Sequence, residues 1–377
     1  MRKVLLMLAL FAVLLIGGCM PSLGDQEDEV IQDSGESVEE TVIIPDVKIK
    51  EEYYKTLLPF KKSASRGLIT ETTRTKYDIQ EVEEGLLRLS TQHYDPKNHY
   101  FQEGQYIDEG TARLWLGNKS KDNPDGLNPS KEGMTEEEEA ESSPTYLAHI
   151  VEQNYLVMTK DNKVKLEGIS IGLAMNTIHY SSRSSGSKET EIPDKEIEEQ
   201  GTLMAEEIIK RLRSQQGLED IPIVVGLYKQ GSRQSIMPGT YFATVFAEKG
   251  KAPSGWKLVD EKYVLFPGST NDEKYRDANT AFLNFKQAIE DYFPSFVNVI
   301  GRGHYKGGKL SSLEIEMPIQ FFGTSETIGF TQYVTSLLPE YLPDVHTEVS
   351  ITSVNGPEAL IVKEAGDEEA FVHIYGY

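Results

Sequence analysis

Only one cysteine, Cys19, occurs in 377 residues, so no intrachain disulfide can form and the fold has to be held by packing. Basic side chains are also scarce: 38 Lys and Arg stand against 60 Asp and Glu, a formal net charge of -22. No run of basic residues is longer than a pair such as Lys61-Lys62. So acidic a body repels phosphate backbones, which excludes nucleic acid as a partner. Long apolar runs are missing everywhere but at the N-terminus, which excludes a many-helix membrane protein. What remains, 38% hydrophobic and 26% charged, is a soluble body long enough to bury more than one core.

The N-terminal run itself has a direction. Arg2 and Lys3 precede unbroken apolar sequence from Val4 to Ile16, and Gly17-Gly18 follow as small residues. This is the order of an export signal, and the apolar stretch is shorter than the roughly 20 residues that span a bilayer. A free cysteine is ordinarily a small buried hydrophobe. The tetrad Ile16-Gly17-Gly18-Cys19 instead resembles the bacterial lipobox, in which the cysteine becomes the first residue after cleavage. A thiol is the nucleophile that accepts a diacylglycerol, and a small residue at Gly18 admits the peptidase to the Gly18-Cys19 bond. The expectation is a signal peptide over 1–18, prolipoprotein-processing enzymes as partners, and a body held at the extracytoplasmic face of the cell membrane by lipid on Cys19.

Residues 20–40 hold acidic side chains such as Asp25, Glu27, Asp28 and Glu29 and no basic one, so 19–52 is expected to be a disordered tether. Two lobes are expected beyond it, 53–260 and 261–377. Asp78 with Glu81 has the spacing of a capping box, predicting a helix through Leu89, and a second helix is predicted over 108–116. Residues 117–145 are loop-like. Ile169, Ile171, Leu173 and Met175 alternate with smaller residues as in a half-buried strand, and 181–191 reads as an exposed connection. Ile197, Gly201, Met204, Ile208 and Leu212 mark one face of a helix, followed by strands over 221–228 and 240–247. The C-terminal third replays this order: strand 313–322, helix 326–338, strand 347–354, then 359–363 and 371–375. The fold class is therefore α+β, two similar lobes of mostly antiparallel or mixed sheet with packed helices, after an N-terminal helical segment.

Motifs for catalysis fail on context. Asn123, Asp125, Gly126 and Glu132 match an EF-hand loop in part, but Lys121 stands where the first carboxylate belongs and Pro124 interrupts it. Ser185-Gly186-Ser187-Lys188 fits S-x-x-K inside a Ser-rich connection, where no buried helix would activate the serine. The seven histidines include no H-E-x-x-H, and G-x-S-x-G and phosphate-binding loops are absent, so no catalytic residue, metal site or cofactor is assigned. Sixty acidic side chains offer too many carboxylate pairs for spacing to pick out a glycoside hydrolase.

Two loops suit a ligand. One presents Lys229, Gln230 and Arg233 and ends in Tyr241; the other gathers Arg302, His304, Tyr305 and Lys306. Cations with aromatics in an acidic protein fit an anionic or glycan-like envelope component, while ordinary hairpin loops with solvated charges are the plainer reading.

The stretches YYKTLLPFK, SRGLIT, YFQEGQYID, YLAHIVEQNYLV, IPIVVGLYKQGSR, PGTYFAT, YFPSFVNVIGR, IGFTQYVT and SVNGPEALIVKE resemble the CamS family of sex pheromone lipoproteins over nearly the whole chain. The resemblance implies a lipid-anchored bacterial surface protein whose mature domain has no established enzymatic activity. It also implies that the heptapeptide before the lipidated cysteine, here Ala12 to Gly18, is released and induces conjugative plasmid transfer; the Gly17-Gly18 ending departs from active versions. For the body, binding of an envelope glycan or a protein partner is expected, with a cell-envelope hydrolase and a solute-binding lipoprotein as the alternatives.

Overall fold

The computed structural model describes residues 27–33, 40–45, 47, 49–68, 76–135, 138–139, 143–183, 186–268, 272–293, 298–320 and 323–376. The expected signal peptide, Gly18, Cys19 and Ser185 lie outside them. Part of the stretch expected to be a disordered tether is paired instead. β1 (Glu27–Asp33) and β2 (Glu40–Pro45) form an antiparallel hairpin, and β1 runs parallel to the start of a long central strand at Lys163–Lys165. Alternation within Thr41–Pro45 explains the pairing: Val42 and Ile44 are buried against Leu57, Leu156 and Val164.

The chain continues through β3 (Lys55–Thr56), α1 (Lys76–Ser90), β4 (Tyr100–Glu103), α2 (Glu109–Leu116), β5 (Leu147–Met158), β6 (Lys163–Met175), the hairpin β7 (Ile178–Arg183) and β8 (Gly186–Glu191), and α3 (Asp194–Arg213). Then come β9 (Ile223–Lys229), β10 (Thr240–Ala247) and β11 (Lys257–Leu258). These strands build one sheet in the order β11-β10-β9-β6-β5-β4-β3, with the β1–β2 hairpin joined to β6. β6 and β9 are parallel, joined through α3, whereas β5–β6 and β9–β10 are antiparallel.

A second sheet follows: β12 (Glu261–Phe266), α4 (Glu273–Tyr292), β13 (Ile300–Lys306), β14 (Lys309–Pro318), α5 (Thr324–Tyr341), β15 (His346–Ser353), β16 (Gly356–Lys363) and β17 (Phe371–Ile374). Its order is β12-β13-β14-β15-β16-β17, with β14 and β15 parallel and the other neighbours antiparallel. From β4 on, the first lobe runs strand, helix, strand, strand, helix, then three strands, as the second lobe does, and its parallel pair β6–β9 stands where β14–β15 stands in the second; β1, β2 and β3, with the parallel pairs β1–β6 and β3–β4, have no counterpart there. The first lobe differs by the β7–β8 hairpin, inserted before its crossover helix where an exposed connection is expected from the sequence.

The helix α1 is a further difference. In the first lobe α3 covers one sheet face, packing Ile197, Met204, Ile208 and Leu212 on Ile169, Ile171, Leu173, Val225 and Leu227. α1 covers the other with Val82, Leu86 and Leu89. The expected half-buried character of β6 is therefore corrected: its small residues Ser170 and Ala174 are fully buried too, because they face α1 and not water. β14 keeps one-sided alternation, burying Leu313, Ile315 and Met317 beneath α4 and α5 while Glu314 and Glu316 face outward.

Candidate functional site

α1 decides what the surface can do. Asp78 and Glu81, expected to cap this helix, point elsewhere. The Asp78 carboxylate is buried, and its Oδ1 accepts from the Tyr228 hydroxyl at 2.7 Å and from the backbone N–H groups of Gly231 (3.2 Å) and Gly239 (2.7 Å). One carboxylate thereby gathers both ends of loop 230–239. Glu81 accepts from the Tyr263 hydroxyl at 2.6 Å and from Arg88, and Arg88 also donates to Glu261 of β12 at 2.8 Å. His304 Nε2 lies 3.4 Å from the same Glu261 carboxylate, and its ring stacks on Tyr263. Burial on its own would raise Glu261; His304 and the Arg88 guanidinium override it and hold the carboxyl at about 2. Burial would lower Arg88, but Glu81 and Glu261 raise it further above its already high range.

The loop residues singled out in the sequence fall into two groups. Tyr241 is a core residue, its ring beneath α1 and its hydroxyl donating to the Val82 carbonyl at 2.6 Å, and Tyr305 is buried edge-to-face against Tyr275. Neither presents its side chain to a ligand, which corrects both assignments: aromatic residues at strand positions fill cores first. The cations are at the surface but engaged. Lys229 pairs with Asp194 at 2.8 Å and lies over the Phe242 ring, and Arg233 sits 4.0 Å over the ring of Tyr180 on β7. Arg302 pairs across the ladder with Glu314 (2.8 Å) and Glu316 (3.4 Å). Around Arg302 there is only a depression of about 30 Å³, between Gln80, Glu81, Glu84, Pro238 and Tyr263. Arg302 thus meets loop 230–239 through Pro238, not Arg233.

A cavity of about 190 Å³ lies on the other side of Glu84, between α1, β4, β5 and residues 63–66. Leu87, Phe101 and Val151 give it apolar walls; Glu83, Glu84, Glu103 and Arg66 ring it. The i, i+3 and i, i+4 spacings on α1 place Glu83, Glu84 and Leu87 on one side. Burial pushes both Glu83 and Glu84 above the usual carboxylate range. His149, also in the lining, is buried, and burial holds it down at about 4, a neutral imidazole at neutral pH. At the inner end Glu152 accepts from the backbone N–H groups of Gln105, Tyr106 and Ile107 at 2.8–3.2 Å. Sequence reasoning passed over this cavity because His149, Glu152, Gln153 and Asn154 interrupt the apolar pattern of β5. The signal that was available is YLAHIVEQNYLV itself, apolar at both ends with His149, Glu152, Gln153 and Asn154 between.

No group of three or more His, Cys, Asp or Glu suited to a metal occurs among the described residues. The EF-hand-like residues serve the loop: Asn123 Nδ2 donates to the Leu114 carbonyl at the end of α2, and Glu132 Oε1 accepts from the Lys121 N–H.

Among solved structures the chain is similar to a sex pheromone precursor from Lactobacillus salivarius subsp. salivarius UCC118, at 28% identity and TM-score 0.81 over 88% of this chain and 98% of that one. It is also similar to the C-terminal domain of the sex pheromone staph-cAM373 precursor from Staphylococcus aureus, at 34% identity and TM-score 0.71 over 81% and 98%. Comparison with curated proteins finds no match. The profile of the family described as CamS sex pheromone cAM373 precursor matches residues 60–369, most of the length, and the chain belongs to that family.

Proposed function

We propose that this chain is a surface lipoprotein precursor with two products. Cleavage at Gly18-Cys19 leaves Cys19 as a lipidated N-terminus that holds the body at the outer face of the cell membrane, and frees the leader, from which a second cut at the Phe11-Ala12 bond releases Ala12 to Gly18 as a signalling peptide. The observation that carries this reading is the ordered tetrad Ile16-Gly17-Gly18-Cys19 behind a short basic and apolar leader, in a chain of the pheromone precursor family. An uncharged, apolar heptapeptide is chemically suited to leave a membrane and enter a peptide-binding pocket. No helix among the described residues is long and apolar enough to cross a membrane, so stable attachment on this reading rests on the acyl chains, at about 0.8 kcal/mol per buried CH₂.

The mature body is on this reading a binding module. Supporting that reading, the depression that Arg302 borders holds only about 30 Å³. Mass spectrometry of membranes and culture medium tests the anchor and the peptide together. The expected result is a diacylglycerol-modified N-terminal Cys19 fragment in the membrane and AVLLIGG in the medium, both lost in Cys19→Ser. A mature N-terminus elsewhere, or an unmodified Cys19, overturns the reading.

A further inference from the structure

We infer that the cavity between α1, β4, β5 and residues 63–66 is a binding site for a primary alkylammonium group, with Glu83 and Glu84 receiving the cation and Leu87, Phe101 and Val151 the alkyl chain. The inference rests on reading the body as a binding module, and it is independent of the lipid anchor and of the released peptide.

Accounting for the charges around the cavity selects the sign of the ligand. Its cation, Arg66, is engaged: Nη1 donates to Glu103 Oε1 at 2.6 Å, while Glu103 Oε2 accepts the Ser63 N–H at 2.7 Å. Glu152 is occupied by the backbone amides of residues 105–107, and His149 is neutral at neutral pH because burial depresses it. Glu83 and Glu84 are left. Glu84 accepts from Gln80 Nε2 at 3.0 Å, and the Glu83 carboxylate has no hydrogen bond or ion pair among the described residues. An anion entering here meets three carboxylates, Glu83, Glu84 and Glu103, against one lining arginine, Arg66, which pairs with Glu103 and also attracts Glu83; Arg88, which attracts Glu84, is held by Glu81 and Glu261. An ammonium ion meets its complement, in surroundings where partial burial strengthens the attraction.

The walls select the rest of the molecule. The cavity is larger than the engineered apolar cavity of about 150 Å³ that holds benzene, so a four-carbon chain fits beside the carboxylates. Glu83 and Glu84 are more exposed than the buried Val151, which orients an amphiphilic cation with its head outward and its tail against Leu87, Phe101 and Val151, beside the buried polar residues His149 and Glu152.

The test uses the full chain, methyl-labelled at Leu and Val in a nonionic detergent and titrated separately with n-butylammonium chloride, n-butanol and sodium butyrate. n-Butylammonium is expected to shift the Leu87 and Val151 methyl resonances saturably, with butanol and butyrate binding at least tenfold more weakly. Glu83→Gln with Glu84→Gln is expected to weaken n-butylammonium tenfold or more, with the Val225 and Val349 resonances showing both lobes still folded. Phe101→Trp, which keeps both carboxylates and fills the cavity, is expected to abolish the shifts. Equal binding of butanol, undiminished binding to the double variant, or no saturable shift overturns the inference, and none of these outcomes bears on the lipid anchor.

Discussion

Arg88 of α1 reaches Glu261 of β12 at 2.8 Å, joining the helix that covers the first sheet to the first strand of the second. Both carboxylates that hold Arg88, Glu81 and Glu261, are nearly inaccessible, and Tyr263 and His304 close the group. Two lobes of the same topology are thus joined by the one major helix that the second lobe lacks.

Removing the guanidinium leaves two buried carboxylates facing each other. Arg88→Met is expected to cost about 3 kcal/mol, since breaking a buried pair strands the remaining charge. Adding Glu261→Gln should recover part of that loss, so a double-mutant cycle by denaturant unfolding is expected to show a coupling well above 0.5 kcal/mol. Additive effects would rule out a joint role.

The same clamp carries a pH dependence of defined sign. Glu261 is held at about 2, below the unfolded value of about 4.3, so its contribution is complete above the unfolded value and is lost as pH falls through the folded one. The difference corresponds to about 3 kcal/mol. Thermal unfolding between pH 5 and pH 2 is expected to show wild type losing more stability than Glu261→Gln; parallel curves would place the acid sensitivity elsewhere.

Asp78 holds loop 230–239 through three donors on a single oxygen. Asp78→Ala leaves the Tyr228 hydroxyl and two backbone N–H groups without that acceptor, a loss of roughly 2–4 kcal/mol. The exposed Arg233 should then become a trypsin site. Limited proteolysis that cuts wild type and variant equally would show that the loop is held by something other than Asp78.

Close approach of α1 and Tyr241 to the sheet depends on glycine. A Cβ on Gly226 would stand 2.6 Å from the Tyr241 ring, and one on Gly172 2.5 Å from its hydroxyl oxygen. Gly226→Ala is expected to destabilise by about 1–3 kcal/mol through overpacking, measured by urea unfolding. At Gly329 a Cβ meets nothing within 4 Å, so Gly329→Ala on α5 serves as the neutral or stabilising control.

Periodicity made the elements near one interface legible. The α3 stripe Ile197, Gly201, Met204, Ile208 and Leu212 is buried throughout, and the C-terminal strands and helix appear in the order expected, because each has one apolar face and one polar face. Where a strand has two buried faces that signal disappears. β5 buries His149, Glu152, Gln153 and Asn154 along with its apolar residues, and β6 buries Ser170, so neither shows a solvent side. The aromatic residues proposed for binding illustrate the converse: Tyr305 adjoins Lys306 and Tyr241 ends the loop that carries Arg233, yet their backbone positions turn them into the core.

By itself the sequence determined the acidic charge balance, the strand and helix order of the C-terminal third and the family, since these rest on composition, local period and words of eight residues or more. Only the tertiary structure decided which charges are free. Arg233, Arg302 and Lys229 read as available cations along the chain, and folding brings each an aromatic ring or a carboxylate. Glu83 and Glu84 lie on one side of α1, beside a cavity whose arginine pairs with Glu103.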